Sequence, residues 1–283
     1  MSAATQKRRW REHNILPGFG LSLGVLLTAL TLIVLAPLAA LVLRAASAGP
    51  AEIYAIATSP RTLAALRLSF GAAFIAALVN AVFGLLIAWV LVRYSFPGRR
   101  LIDAAVDLPF ALPTAVAGIA LAAVWAPNGS LGALAAGLGW KVAYTPLGVM
   151  IALVFVSLPF VVRSVQPVLQ EASADVEEAA ALLGASRLRT VFCVILPGIA
   201  PALLTGATLA FARAVGEYGS VIFIAGNVPM VSEIAPLLIV IKLEQFDYAG
   251  AAVVGMLMLL ISLTLLLLVN ALQAWSRKRL GYV

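Results

Sequence analysis

Side chains that carry chemistry are scarce in this chain. Among its 283 residues there is one cysteine, Cys193, and one histidine, His13. A single cysteine excludes an internal disulfide, and a single histidine excludes a His-rich metal site or a paired-histidine zinc protease. The lysines, Lys7, Lys141, Lys242 and Lys278, follow Gln, Trp, Ile and Arg, never glycine. The chain therefore has no P-loop, and any ATP must be handled by a partner. Charge is sparse as well, at 11% of residues against 63% hydrophobic. A mean hydropathy of +1.07 lies far outside the range of soluble domains and marks a membrane protein. The net charge of +7 and the pI near 10.0 do not indicate nucleic-acid binding. The basic residues sit at the ends of apolar runs rather than on a patch with interleaved aromatics, so they read as topology signals.

Six apolar runs follow in order, and they predict an all-α, polytopic protein with both termini cytoplasmic. Residues 1–16 form a basic tail with Lys7, Arg8, Arg9 and Arg11. The run from about Phe19 to Leu43 is long enough to span and too long for a secretory core, so it is expected to stay as a signal anchor. Ala46-Ser47-Ala48 would be a tolerable cleavage site. Residues 17–60 thus hold the first helix and an outside segment, and 61–274 the core.

Within the core, the second span is expected at Leu68 to Val92, ending at Arg93, Arg99 and Arg100. The third, Ala104 to Trp125, begins with Pro109 and Pro113 and should enter the membrane kinked or irregular. A glycine-rich outside loop, Pro127 to Thr145, comes next. The fourth span is Pro146 to Val165, the fifth Ile199 to Ala225, and the sixth Ala249 to Ala274. An outside stretch, Gly226 to Tyr248, separates the last two, and a second basic tail occupies 275–283. Twelve basic residues then flank the spans on the inside, against Arg44, Arg61, Lys141 and Lys242 outside.

Polar groups within the spans are costly in hydrocarbon and mark a bundle interior or a pathway. Arg213 falls near the middle of the fifth span with Glu217 four residues on, where the two can pair along one helix face. Two readings stand: a neutralised structural pair, or a gate that meets an anion. Asn80, Thr205 and Thr208 should bond neighbouring helices, and Arg67 and Arg163 should snorkel at the membrane edges.

Between the fourth and fifth spans lies a polar island at 171–197, EASADVEEAAALLGASRLRTVFCVILP. Asp175 and Glu178 suit a capping box, and a short helix is expected over Val176 to Leu183. Gly184 supplies a left-handed stop. Ser186 can cap a second helix that Pro197, lacking an amide, should end. Ala179, Ala180 and Ala181 leave the first helix nearly smooth on one side, which suits docking of another protein better than catalysis.

The spacing Glu178-Ala179-Ala180, Gly184, Val194 and Leu196-Pro197 resembles the "EAA" signature of ABC-importer permeases, with Val194 in place of the usual isoleucine. Residues 210–250, together with LPFALPTAVAGIAL (108–121) and LPFVVRSVQPVL (158–169), are similar to the T-type permease of sulfate/thiosulfate importers. Gly216-Glu217-Tyr218-Gly219-Ser220 and Ile224-Ala225-Gly226-Asn227 distinguish that type from its W-type partner. The resemblance implies a type I importer fold of six helices in the bacterial cytoplasmic membrane. It implies a second, W-type permease, two ATPase subunits and a periplasmic sulfate-binding protein as partners, with ATP bound by the ATPases and no cofactor in this chain. Glu178, Ala179, Ala180, Gly184, Leu196 and Pro197 would seat an ATPase, and Arg213, Glu217 and Tyr218 are candidates for the pathway or its gate. Two other readings remain at this point. One is a permease for molybdate or another oxyanion, often homodimeric. The other is a self-sufficient secondary transporter, which would need ion-coupling groups that the spans scarcely offer.

Overall fold

A 34-residue helix, Pro60–Arg93, is the spine on which the other elements pack. The computed structural model describes residues 18–172 and 174–279, without the side chains of 174, 175, 272 and 274–279. The basic residues of the N-terminal tail and of 277–279 thus fall outside the described side chains.

Numbered in chain order, the helices begin with α1, Phe19–Ala46. They continue through α2 (Pro50–Ala57), α3 (Pro60–Arg93), α4 (Arg99–Val106), α5 (Leu108–Ala111), α6 (Thr114–Trp125) and α7 (Ser130–Gly137). After α8 (Pro146–Glu171) and α9 (Ala174–Leu182) comes α10, Arg187–Val215. The last are α11 (Val221–Ile224), α12 (Ala235–Glu244) and α13 (Tyr248–Arg279). Among the described residues all regular structure is helical, as hydrocarbon demands of a chain without a closed barrel.

Five helices are long and apolar enough to cross a membrane, and α6 with α7, bent by 44°, completes a sixth crossing. An even number of crossings returns the chain to the side from which it started. The third span therefore differs from the expected Ala104–Trp125. Its chain breaks at Leu112-Pro113, where Leu112 is extended, because the residue before proline is pushed out of helical geometry. The amphipathic α4 stays outside the crossing. The glycine-rich loop is not a loop throughout either, since it holds α7, which continues from α6 at an angle of 44°. A Cβ at Gly132 would lie 1.8 Å from the Ala126 carbonyl oxygen, so only glycine permits that bend.

The core is built from small residues, because apolar burial gives no advantage inside lipid and helices associate through close packing. Ser59 caps α3 by accepting from the Thr62 amide, and Pro60 fits the first turn, where no amide is needed. One face of α3 then buries Ala72, Ala73, Ala76, Ala77, Gly84 and Ala88 against α8 and α10. Val161 of α8 nests between two glycines: a Cβ at Gly84 of α3 or at Gly206 of α10 would stand 2.9 Å from it. Asn80 Nδ2 donates to the Val154 carbonyl (3.0 Å) and to Ser157 Oγ (2.8 Å), joining α3 to α8 as anticipated. Thr205 instead bonds back to the Pro201 carbonyl of its own helix. Thr208 does the same to Leu204 while accepting from Gln273 of α13.

Prolines reshape two helices without ending them. Pro197 does not stop the helix after Ser186. Residues Val191–Ile195 widen into an i→i+5 turn in which the Leu196 amide reaches the Val191 carbonyl, and α10 runs on to Val215. The wide turn makes room for a ring that would otherwise meet the carbonyl one turn back. Thr31–Leu35 does the same ahead of Pro37 in α1.

The stretch expected as an outside connection between the last two spans holds α12. This helix is buried at Ala235, Leu237 and Leu238 against α3 and α13. Its first amide, that of Ala235, donates to Ser69 Oγ of α3 at 2.8 Å. The lower end of α1 packs Leu41 and Ala45 on Ala252 and Val253 of α13, whereas none of Phe19–Leu30 is buried.

This topology makes a direct prediction. A reporter active only outside the cytoplasm should be active when fused after Gly139 and silent when fused after Ser186. The reverse pattern would overturn the assignment of sides.

Candidate functional site

The polar island forms two short helical segments meeting at a closed corner. Helix α9 ends in a pair of bonds that wrap its last turn: the Ala185 amide donates to the Ala180 carbonyl (3.0 Å) and the Gly184 amide to Ala181 (2.9 Å). That pattern requires a left-handed residue, and Gly184 supplies it at φ +80°. Two residues later the Ser186 side chain accepts from the Arg189 amide and starts α10. The expected capping of α9 by Asp175 falls on a side chain outside the described ones.

The alanines do not form one smooth stripe. Ala180 is buried and holds the helix to the body, while Glu178, Ala179, Ala181 and Gly184 are exposed. Leu196 is half-buried at the wide turn, and Pro197 is exposed beside it. The outward surface comes mainly from side chains that sequence reasoning passed over. Leu182 is 89% and Leu183 88% exposed, with Leu188 and Phe192 projecting as well. Large apolar side chains left exposed on and beside a polar corner are more than single scattered surface residues. Their signal was present in the sequence as leucines interrupting an otherwise polar island.

The island is tied to the bundle at both ends and from the side. Helix α8 runs into it and α10 runs out of it. Arg93, the last residue of α3, pairs with Glu177 on α9 and lies over the Trp89 ring, 5.6 Å from its centroid.

Higher in α8, Arg163 does not snorkel. Its guanidinium is clamped by Asp107 (2.6 and 2.9 Å), Asp103 (2.7 Å) and Gln166 (2.6 Å), and it also donates to the Asp103 carbonyl. The hydrogen bonds from Arg163 hold the Asp103 carboxyl below the usual carboxylate range. This cluster fixes the α4–α5 corner to α8, so the entry of the broken third span moves with the helix that leads to the island. Asp103 and Asp107 stand four apart, a visible pair, but nothing local indicates that Arg163 is their partner.

Arg213 and Glu217 do pair, Nη1 to Oε2 at 2.5 Å, though not along one helix. Helix α10 ends at Val215, and Glu217 lies beyond Gly216 in the corner leading to α11. The carboxylate is buried and fully used, its other oxygen accepting from the Ser220 amide and hydroxyl, both at 2.8 Å. Arg213 remains a third exposed. Tyr218, half-buried, packs on the central core cluster.

The corner sits directly on the third span. A Cβ at Gly219 would lie 2.2 Å from Thr114 Oγ1, and one at Gly118 would lie 2.5 Å from the Ser220 carbonyl oxygen. A little further on, Gly226 takes φ +71° against Tyr144. The glycines of this motif are thus points of close approach between α6, α8 and the α10–α11 corner.

Two other ion pairs close the opposite end of the bundle. Arg61, in the first turn of α3, grips the buried Glu233 with two bonds of 2.7 and 2.8 Å, and Lys242 holds Asp247 at 2.7 Å.

Known proteins share both the sequence and the fold. Residues 80–282 match the family described as "Binding-protein-dependent transport system inner membrane component". The "Probable sulfate transport system permease protein cysT" of Nephroselmis olivacea is 56% identical over 245 residues, covering 87% of this chain and 86% of that one. The "Sulfate transport system permease protein CysT" of Escherichia coli (strain K12) is 48% identical over 272 residues, covering 96% and 98%. The protein of that name from Synechococcus elongatus is 52% identical over 252 residues, covering 89% and 91%. The fold is similar to that in a crystal structure of a bacterial alginate ABC transporter in complex with an alginate pentasaccharide-bound periplasmic protein. There the TM-score is 0.74 at 15% identity, covering 94% of this chain and 95% of that one. Such identity establishes the fold alone, whereas the family match spans well over half the chain. A six-crossing helical bundle with a closed polar corner between its fourth and fifth spans thus belongs to the binding-protein-dependent transport system inner membrane components, as a multi-pass permease.

Proposed function

We propose that this protein is the translocating subunit of an ATP-driven ABC importer that takes up sulfate and thiosulfate. The docking half of this reading rests on the closed corner at 174–190, with its exposed leucines and its tie to three spans. The anion is suggested by relatives of 48–56% identity that are named sulfate transport permeases.

Membership of a binding-protein-dependent family brings a binding protein as partner. In the fuller assembly that we infer, this chain pairs with a W-type permease and two ATPase subunits in the bacterial cytoplasmic membrane. A periplasmic sulfate-binding protein delivers the ion. ATP is bound by the ATPases and not by this chain. Glu178, Ala179 and Gly184 meet one ATPase together with Leu182, Leu183, Leu188 and Phe192. Ala180, Leu196 and Pro197 set the position of that surface from behind.

The mechanism follows from what the corner is attached to. Closing of the two ATPases draws the docking corners together. Because α8 leads into the corner and α10 starts from it, and Arg93 links α3 to it through Glu177, the three central helices move together. The clamp at Arg163 carries the entry of the third span along with α8. A small rotation at the cytoplasmic end thereby re-aims the cavity between the two permeases, which is alternating access by rigid-body motion. Arg213, partly open beside the buried Glu217, is the gate candidate at the outer end of α10, with Tyr218 next to it.

The test is uptake of radiolabelled sulfate by cells lacking their own sulfate importers. Cells expressing this chain with its W-type, ATPase and binding-protein partners should accumulate sulfate, and omitting this chain should abolish it. Accumulation of molybdate in place of sulfate would overturn the choice of anion.

A further inference from the structure

Six residues after Arg61, a second arginine on α3 stands in the opposite situation. Five basic side chains near or within the spans are held by carboxylates: Arg61 by Glu233, Arg93 by Glu177, Arg163 by Asp103 and Asp107, Arg213 by Glu217, Lys242 by Asp247. Arg67 forms no ion pair among the described residues and is exposed. It is the one charged residue lining a groove of about 680 Å³ between the outer halves of α3 and α8. The rest of the lining is apolar, including Leu63, Leu68, Ile75, Met150, Met230 and Val231.

Depth and surroundings give this arginine a meaning. Arg67 lies seven residues into a 34-residue helix. At 1.5 Å per residue the helix is about 51 Å long, some 20 Å more than the hydrocarbon core of about 30 Å. With the helix centred in the membrane, Arg67 is level with the outer edge of the hydrocarbon. Part of the groove's wall is irregular backbone. Met230 has φ +62°, and its segment is held in place by the Arg61–Glu233 pair and by Ser232 Oγ accepting from the Val228 amide. Irregular backbone at membrane depth is tolerated where it lines a water-filled cavity or meets protein, not where it faces acyl chains. At about 30 Å³ per water, the groove holds on the order of twenty waters, enough for an ion that keeps part of its hydration shell.

We propose that Arg67 is an entry site for a tetrahedral dianion of the sulfate class, met as the ion leaves the binding protein and before it reaches the bundle centre. The guanidinium fork matches two oxygens of such an ion, and the apolar walls offer a cation nothing. One fork without further donors from this chain binds weakly. A waypoint needs that weakness, since an ion that enters must also leave. The inference rests on the importer reading above.

Its test uses the complete complex in proteoliposomes loaded with ATP, at matched abundance of each variant. Arg67→Gln should lower the maximal rate of sulfate uptake about tenfold or more through loss of charge-assisted hydrogen bonds, while Arg67→Lys keeps a large share of it. Arg67→Cys should be inactive and regain uptake after reaction with 2-aminoethyl methanethiosulfonate, but not with the 2-sulfonatoethyl reagent. The unsubstituted chain, whose Cys193 is also exposed, is the reference for both reagents. Uptake by Arg67→Gln at the normal rate, or equal rescue by both reagents, overturns the site. If the guanidinium instead serves an anionic lipid headgroup, the difference between the unsubstituted chain and Arg67→Gln disappears in vesicles made only of zwitterionic phosphatidylcholine, and the proposal fails. Absence of sulfate uptake by the unsubstituted complex would sink the importer reading itself, a result distinct from normal uptake with an inert Arg67.

Discussion

Replacing Gly184 by valine should all but stop sulfate uptake while the protein still inserts and the assembled complex still hydrolyses ATP. The cause is conformational and not steric. Gly184 holds φ +80°, and a Cβ built on it meets nothing within 4 Å. The cost of the substitution is therefore the backbone strain of an L-residue in left-handed geometry, about 1–2 kcal/mol, and more for a β-branched side chain. Relief of that strain opens the two bonds from the Gly184 and Ala185 amides that close the corner. At 1.4 kcal/mol per factor of ten, the docking-competent corner becomes roughly tenfold rarer or worse. The same argument orders the substitutions. Asparagine, which tolerates the left-handed region, should be mildest, alanine intermediate and valine most severe. Uptake assayed beside ATP hydrolysis in the three variants checks this. Normal uptake in the valine variant, or asparagine proving as damaging as valine, would remove Gly184 from the coupling path.

The second large effect is expected at Arg213 and Glu217. Arg213→Met leaves the buried Glu217 carboxylate with only its Ser220 bonds, and an uncompensated buried charge costs about 3 kcal/mol or more. That variant should be poorly inserted and dead in uptake. Adding Glu217→Gln removes the charge and keeps an acceptor for Ser220, so the double variant should recover membrane abundance. Its uptake should nevertheless stay low, because the partly open guanidinium that would meet the anion is gone. Measuring uptake per unit of inserted protein in both single variants and the double decides between the readings. Full recovery of uptake in the double variant would reduce the pair to a strut that holds the α10–α11 corner on the third span.

Both predictions begin from features that were legible before any fold was known, yet each changed in the folded protein. The left-handed stop at Gly184 and the cap at Ser186 are local devices, written within a few residues, and both form as expected. The role assigned to Pro197 did not survive. Proline chemistry alone predicts a helix end at Pro197, but Val191–Ile195 widen and let α10 pass. Whether a helix ends or widens at a proline is settled by neighbours that hold the chain on both sides, and these are not written beside the proline. The Arg213–Glu217 pair was foreseen from spacing, but as a helical i,i+4 pair; the helix in fact ends between the two residues. Ala180, expected on the outward surface, turns inward, while Leu182, Leu183 and Leu188 face out.

What the sequence alone determined is the membrane class, the number and order of crossings, the absence of an ATPase motif and the position of the polar corner between the fourth and fifth spans. Those properties depend on hydropathy over windows of about twenty residues and on turn chemistry over three or four, and both can be read along the chain. What only the tertiary structure decided are the pairings across long separations: Arg61 with Glu233, Arg163 with Asp103 and Asp107, Val161 with Gly84 and Gly206, and the burial of α12. Sequence leaves such choices open because a charged or small side chain fits many partners equally well in isolation. The partner is chosen by which helices come to lie side by side, and that depends on packing small faces together throughout the bundle.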